Sequence, residues 1–323
     1  MYYFSTYFDI NYLPRALCLL DSLEKHCESF RVYALCLDDL CLELIKELGR
    51  SYVVPFGLSE LEASNPALVS VKNKRSLIEY YYTCGPSFLS FLMDRFSEID
   101  LLTYIDADLF FYSNPQPLFD QFKKHSIGVF PHHMPDYSKV TAQGKFNVGW
   151  INFRRDANGL ACLYWWRDRC IEWCFERYED GKYADQLYLD QWPELFDGFF
   201  EFTYKGANIG AWNVRDYQFS LKSGRVYVDE DPLIFYHFHG LKKMMNNLYN
   251  TSLGIARKPP SPILKEQIYA GYIELLEKYS MGRNPTSSIR NYNPKFYIIK
   301  KLAHLALGIM FRQYIIYYKG HVF

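Results

Sequence analysis

Apolar and polar positions in the first hundred residues switch between a period of two and a period near four. The opening YYFSTY predicts a strand. From Tyr12 to Cys27, Leu13, Leu17, Leu20 and Leu23 recur at helical spacing and predict a helix. FRVYALCL (Phe30 to Leu37) predicts a second strand, a helix is expected over Asp39 to Leu48, and YVVPF follows as a short strand. Lys74 to Phe96 reads as a long helical stretch broken at Gly85-Pro86. The apolar run Leu101 to Ile105 predicts a strand that ends in two carboxylates, Asp106 and Asp108. Strands alternating with helices imply an α/β fold, Rossmann-like, with a mixed but mostly parallel sheet flanked by helices. Ligands of such sheets bind beyond the carboxyl ends of the strands, where this acidic pair falls.

ARKPPSP (Ala256 to Pro262) reads as a linker. A main domain over 1–255 and a C-terminal helical extension over 256–323 are therefore expected. Within FYIIKKLAHLALGIMFRQYIIYYKG, the residues Lys300, His304, Gly308 and Arg312 recur every fourth position. They form a narrow polar stripe on an otherwise apolar helix. After Glu277 the chain carries eight Lys or Arg and no acid, although its formal net charge is zero. A basic amphipathic helix of this kind can lie in an anionic membrane surface; docking on the protein's own core is the plainer reading. Charges interrupt every run approaching the ~20 residues of a membrane span.

Composition narrows the classes. With 323 residues, 49% apolar and 22% charged, the chain is globular and can bury a large core. Neutral charge argues against nucleic acid as partner. The eight cysteines include no C-x-x-C pair, so neither a zinc site nor a disulfide framework is indicated. No signal-peptide pattern opens the sequence, which fits a cytoplasmic setting, peripheral on the inner membrane face if the tail engages lipid. Aromatic residues reach 19%; most are expected in the core, with Trp150, Trp192 and Trp212 as candidates beside an acceptor sugar.

Neither G-x-G-x-x-G after the first strand nor a P-loop motif is present. Side chains at i and i+2 of an extended segment point the same way, so Asp106 and Asp108 are expected to converge. Converging carboxylates need a cation, a shared proton or open water, and Mn2+ or Mg2+ is the economical answer. A strand-end acidic turn capping the following helix is the structural alternative.

YIDADLFF resembles the D-x-D motif of GT-A glycosyltransferases, in particular the retaining group of glycogenin and the bacterial lipopolysaccharide galactosyltransferases. Five further segments occur in matching order. FDINY is similar to a D-x-N-Y turn, and the resemblance implies a nucleotide-binding role for Asp9, Asn11 and Tyr12, with Thr6 on the same strand. FNVGWINF resembles an F-N-x-G strand, placing Asn147 by the donor sugar. YADQLYLD is similar to D-Q-D-x-x-N, placing Asp185 and Gln186 near the reacting carbon and leaving Asp190 as a further carboxylate. HFHGLKK resembles H-Y-x-G-x-x-K, which implies that His237 completes the metal site and Lys243, or its neighbour Lys242, holds the diphosphate. Only one of His237 and His239 is expected at the metal. GANIGAWN is similar to a pre-terminal loop of related bacterial enzymes, and Arg75 matches an arginine that reaches the diphosphate.

The sequence departs from the pattern in three places: the closing K-P-W is absent, Leu187 stands for the second Asp of D-Q-D, and Asp190 stands for its Asn. The resemblance implies a metal-dependent hexosyl transfer from a UDP-sugar to a glycan or lipid-linked acceptor, with retention. A GT-A-like protein that binds without catalysis is the alternative. A D-x-D phosphohydrolase fits less well, because there the pair follows the first strand and continues with Thr or Val rather than Leu109-Phe110.

Overall fold

The structure, a computed structural model, describes residues 1–133, 143–245, 247–253, 261–280, 314–318 and 321–322. In chain order its strands begin with β1 (Tyr2–Phe8), β2 (Phe30–Cys36), β3 (Val53–Gly57), β4 (Leu101–Ile105), β5 (Leu109–Phe111), β6 (Ile127–Pro131), β7 (Phe146–Arg154) and β8 (Phe199–Glu201). They continue with β9 (Ile209–Gly210), β10 (Phe219–Lys222), β11 (Arg225–Val228), β12 (Asp231–Pro232), β13 (Phe235–His237), β14 (Lys242–Met245), β15 (Leu248–Asn250), β16 (Tyr314–Tyr318) and β17 (His321–Val322). The helices are α1 (Leu13–His26), α2 (Asp39–Leu48), α3 (Leu58–Ser64), α4 (Pro66–Val71), α5 (Leu77–Arg95), α6 (Gln116–Phe122), α7 (Ala157–Glu172), α8 (Trp192–Leu195) and α9 (Ala270–Ser280).

The chain divides into two compact units. The first comprises Met1–Leu13, Cys27–Ala107 and Pro115–Thr203; the second comprises Pro14–His26, Asp108–Asn114 and Tyr204–Phe323. This division runs through the acidic pair itself, between Ala107 and Asp108, and through the segment expected as one main domain up to residue 255.

The first unit is built on a seven-stranded sheet in the order β3-β2-β1-β4-β7-β6-β8. Pairing is parallel from β3 through β4 and between β6 and β8; β7 alone runs against its neighbours. The expected mixed, mostly parallel α/β sheet is thus the one formed. Its core gathers Tyr33, Leu35, Phe56, Phe88, Leu92, Ile151, Phe153, Trp166 and Trp192.

One sequence expectation fails here: α5 runs unbroken through Gly85-Pro86. A proline inside a helix forfeits its own hydrogen bond and crowds the preceding turn. The packing outweighs that cost, since Thr83, Cys84, Gly85, Pro86, Ser87, Phe88 and Leu89 are all buried. Gly85 also lets α5 approach β1, where a Cβ would lie 3.0 Å from the Tyr7 ring. A capping box between Ser76 and Glu79 starts this helix.

The second unit carries three small sheets, β5-β13-β9, β10-β11-β12 and β14-β15-β16-β17. Its core joins Ile209, Tyr236, Phe238, Tyr249, Ile268, Tyr272 and Ile315, with Phe238 stacked on Tyr272 at 3.6 Å between centroids. The predicted amphipathic helix needs correction at its end. Tyr314–Tyr318 is a strand, paired antiparallel with β15 (Leu248 opposite Ile316). YIIYY is β-branched and aromatic throughout, and pairing with β15 satisfies its backbone. Lys300, His304, Gly308 and Arg312 lie outside the described residues, as does most of the expected linker. No described helix is long and apolar enough to cross a membrane.

Candidate metal and donor site

In the second unit, β13 is clasped between β5, antiparallel with His237 opposite Leu109, and β9, parallel with His237 beside Gly210. The Phe238 N–H donates to the Asp108 carbonyl at 3.0 Å and extends this pairing by one residue. The carboxylate of Asp108, in the turn before β5, thereby meets the imidazole of His237, with Oδ1 and Nε2 3.0 Å apart. Both side chains are buried. The ligand-capable atoms of Asp108, His237 and the exposed His239 all lie within 4.8 Å of one another. Only one of the two histidines was expected to face this point; the turn after β13, closed by the Leu241 N–H on the Phe238 carbonyl at 3.1 Å, brings His239 beside it as well.

Burial alone would push the Asp108 carboxyl up. The imidazoles of His237 and His239 and the Arg15 guanidinium outweigh it and hold the group below the ordinary carboxylate range. Trp212 closes one side of this cluster, its ring edge-on to His237 at 5.2 Å and to His239 at 6.3 Å. The loop that carries it is pinned by Asn213, whose Oδ1 accepts from Gly210 N–H and whose Nδ2 donates to the Asn208 carbonyl, both at 3.0 Å. Gly210 is required there, because a Cβ would stand 2.4 Å from the Trp212 ring. Of the three candidate tryptophans, Trp212 lines a site, whereas Trp150 and Trp192 are fully enclosed in the first unit.

The first unit holds the other assigned residues. Asp106 accepts the Tyr104 hydroxyl at 2.6 Å, and its N–H donates to the Gly149 carbonyl. Asp185 is buried, and burial together with the Asp106 charge pushes its carboxyl up to about 7. The residue before it, Ala184, sits in the left-handed region at φ 47°, an uncommon conformation for a side chain with a Cβ. The Trp166 indole N–H holds the turn through the Asp185 carbonyl at 2.8 Å.

Gln186 and Asp190, expected with Asp185 as catalytic, make hydrogen bonds to the backbone around the start of β7. Gln186 Oε1 accepts from Val148 N–H and its Nε2 donates to the Gln143 carbonyl. Asp190 accepts the Lys145 N–H on both oxygens at 2.9 Å and the Phe146 N–H at 3.2 Å. They anchor the start of β7, on which Asn147 stands. Asn147 Oδ1 accepts from Gly149 N–H. His132 Nδ1 faces the Lys145 carbonyl and must donate to it, so its Nε2 accepts from Asn147 Nδ2 at 3.2 Å.

Asp9 accepts from the N–H groups of Asn11 and Tyr12 and from the Asn11 amide, folding FDINY into a tight turn with the Tyr12 ring exposed. A residue that sequence reasoning missed secures this turn. Asp38 takes Ile10 N–H at 2.7 Å on one oxygen and Cys41 N–H at 2.8 Å on the other, capping α2. Its position before a helical run was the available signal.

Three further assigned residues have partners within the chain or lie enclosed in it. Thr6 is fully buried in β1 and offers no surface to a ligand. Arg75 donates to Thr83 Oγ1 and to the Ile171 carbonyl, and its guanidinium lies over the Phe175 ring. It therefore clamps the last turn of α7, where a cation suits the helix C-terminus. Lys243, in the second unit, pairs with Glu277 at 2.6 Å.

No family model matches the chain. Two proteins of Bacillus subtilis (strain 168) are its relatives: uncharacterized protein YfnD, 31% identical over 282 residues (86% of this chain, 89% of YfnD), and uncharacterized protein YfnF, 35% identical over 239 residues (71% and 78%). The chain belongs to the family these two proteins represent. Among solved structures it is similar to the galactosyltransferase LgtC in complex with donor and acceptor sugar analogs, at TM-score 0.49 and 15% identity, covering 88% of this chain and 98% of that one. It is also similar to mouse xyloside xylosyltransferase 1, at TM-score 0.47 and 15% identity, covering 74% and 98%.

Proposed function

We propose that the chain is a metal-dependent GT-A glycosyltransferase that moves a sugar from a UDP-sugar to a glycan or lipid-linked acceptor, with retention of configuration. One observation carries the reading. Asp108, from the segment that resembles D-x-D, and His237, from the segment that resembles the family's later histidine, are distant in sequence and meet at 3.0 Å. A carboxylate and an imidazole fit a divalent ion, and Asp106 is the further carboxylate assigned to it. When bound, such an ion stabilises the negative charge that the diphosphate gains as the anomeric C–O bond breaks.

The chain's own residues divide the remaining work. The Asp9 turn presents Asn11 and Tyr12 to the nucleoside, and Asn147, oriented by His132, faces the donor sugar. Asp185, with its carboxyl near neutrality, is assigned to the reacting side of the sugar, and Lys243 to the diphosphate. Gln186, Asp190 and Arg75 act by holding these segments in place.

Calorimetric binding of UDP, with and without Mn2+, on wild type and Asp108→Ala tests the reading. Binding that requires both the metal and Asp108, followed by metal-dependent UDP release from a UDP-sugar, is the expected result. Binding indifferent to both overturns it. The basic run after Glu277 supports docking on an anionic membrane. Charge reversal at Lys300, Lys301 and Arg312 should abolish sedimentation with anionic liposomes, and unchanged sedimentation removes the membrane role.

A further inference from the structure

A cation stands at the start of α1, where a helix favours an acid. Helix N-termini attract negative charge and C-termini positive charge. The last turn of α1 follows that rule with Lys25 and His26, yet its first turn has no acid and carries Arg15. We propose that Arg15 is a diphosphate-binding residue, a cation held at this helix start to meet the phosphates of the sugar donor. The assignment rests on the proposed function and adds to it a residue that offsets the phosphate charge.

A single hydrogen bond lodges Arg15 beside the cluster. From this half-buried side chain, Nη2 donates to the Leu241 carbonyl at 2.8 Å. Leu241 in turn gives its N–H to the Phe238 carbonyl at 3.1 Å, closing the turn that carries His239. The guanidinium therefore lies against the segment that follows His237, and its charge reaches the Asp108 carboxylate of the same unit. Along the chain, Arg15 comes three positions after Tyr12, the residue assigned to the nucleoside. A nucleoside diphosphate has the same order, with its charged groups directly after the nucleoside.

Charge balance asks for such a residue. A divalent ion brings two positive charges, and the two carboxylates assigned to it, Asp106 and Asp108, cancel them. The charge of the diphosphate itself is then left to protein cations. Arg75 is engaged with Thr83 and the Ile171 carbonyl, and Lys243 is shared with Glu277 at 2.6 Å. The Leu241 carbonyl that Arg15 holds is neutral. A guanidinium also presents its five donors in a planar fork that suits phosphate oxygens.

The test uses the full chain and three probes: calorimetry of UDP with Mn2+, calorimetry of Mn2+ alone, and NMR titration of uridine. Arg15→Gln keeps an amide donor for Leu241 and removes the charge. It should lower UDP affinity about tenfold or more, the size of one hydrogen bond to a charged group. Uridine has no phosphate and should bind as it does to wild type. Mn2+ alone should bind equally well or more tightly, because a neighbouring like charge has gone. Arg15→Lys returns the charge without the fork and should recover part of the loss.

Unchanged UDP affinity in Arg15→Gln overturns the assignment. So does an equal loss of uridine, or a parallel fall in Mn2+ and UDP affinity, which would make Arg15 only a brace for the histidine turn. Arg15→Lys as weak as Arg15→Gln overturns it too. A wild type without affinity for UDP removes the transferase reading and this role together. UDP binding that needs Mn2+ and Asp108 but ignores Arg15 removes the role alone.

Discussion

Each unit buries one of the assigned aspartates, and the two behave in opposite ways. Asp108 is 4% exposed and Asp185 is 6% exposed, so desolvation acts on both alike. Asp108 has an imidazole at 3.0 Å and is held down; Asp185 has the Asp106 carboxylate as its charged neighbour and is pushed up to about 7. Burial sets how strongly a group feels its neighbours, and the neighbour's charge sets the direction. One carboxylate stays ionised to low pH, while the other exchanges its proton near neutrality.

The largest predicted effect tests the raised member. Asp185 has a folded pKa of about 7 against 3.8 for the free group. Below the lower value both states are protonated. Between the two values the unfolded chain loses its proton while the folded chain keeps it, so stability falls as pH rises from about 4 to about 7. Three units correspond to roughly 4 kcal/mol. Asp185→Asn should therefore match wild type near pH 4 and exceed it by that order at pH 8 in urea denaturation with chelator present. Parallel stability curves would refute the raised pKa.

The lowered member carries the opposite sign. Asp108 contributes stability above the ordinary carboxylate pKa and loses it as pH falls through its depressed value. Asp108→Ala should cost about 3 kcal/mol at pH 6, because it leaves a buried imidazole without its carboxylate. That deficit should shrink in acid, and a deficit independent of pH would mean that His237 gains nothing from the pair.

Legibility in the sequence also differs between the units. The first three strands of the first unit were readable because each is followed by a helix, the first with clear apolar periodicity from Leu13 to Leu23. The Gly85-Pro86 break was misjudged because local propensity says nothing of burial on every side of a helix. In the second unit, His239 was passed over because its partners come from Asp108 and from a loop near residue 210, and no local pattern records that meeting. The same holds for the hydrogen bonds of Arg75, Gln186 and Asp190 to backbone groups remote in sequence, which no local pattern records. Resemblance placed the motifs in order, but it could not say which of these side chains are already committed.

Gly210→Ala probes how far the metal cluster depends on its wall. The new methyl would meet the Trp212 ring at 2.4 Å, so the indole must leave His237. A loss of about 2 kcal/mol in stability is expected from this overpacking, with Mn2+ affinity lowered several-fold. Unchanged affinity would show that Trp212 shields the cluster without ordering it.

The smallest stability effect belongs to Lys243, and it separates a structural lysine from a functional one. Its ion pair with Glu277 joins side chains 44% and 22% exposed, and such a pair contributes about 0.5 kcal/mol or less. Lys243→Ala should thus barely move the melting temperature. If Lys243 grips the diphosphate, the same change should lower UDP affinity roughly tenfold, the size of one charge-assisted hydrogen bond. Neighbours on a strand point to opposite faces, so Lys242→Ala should then leave UDP affinity near wild type. The reverse pattern would assign the diphosphate to Lys242 and leave Lys243 as the partner of Glu277 alone.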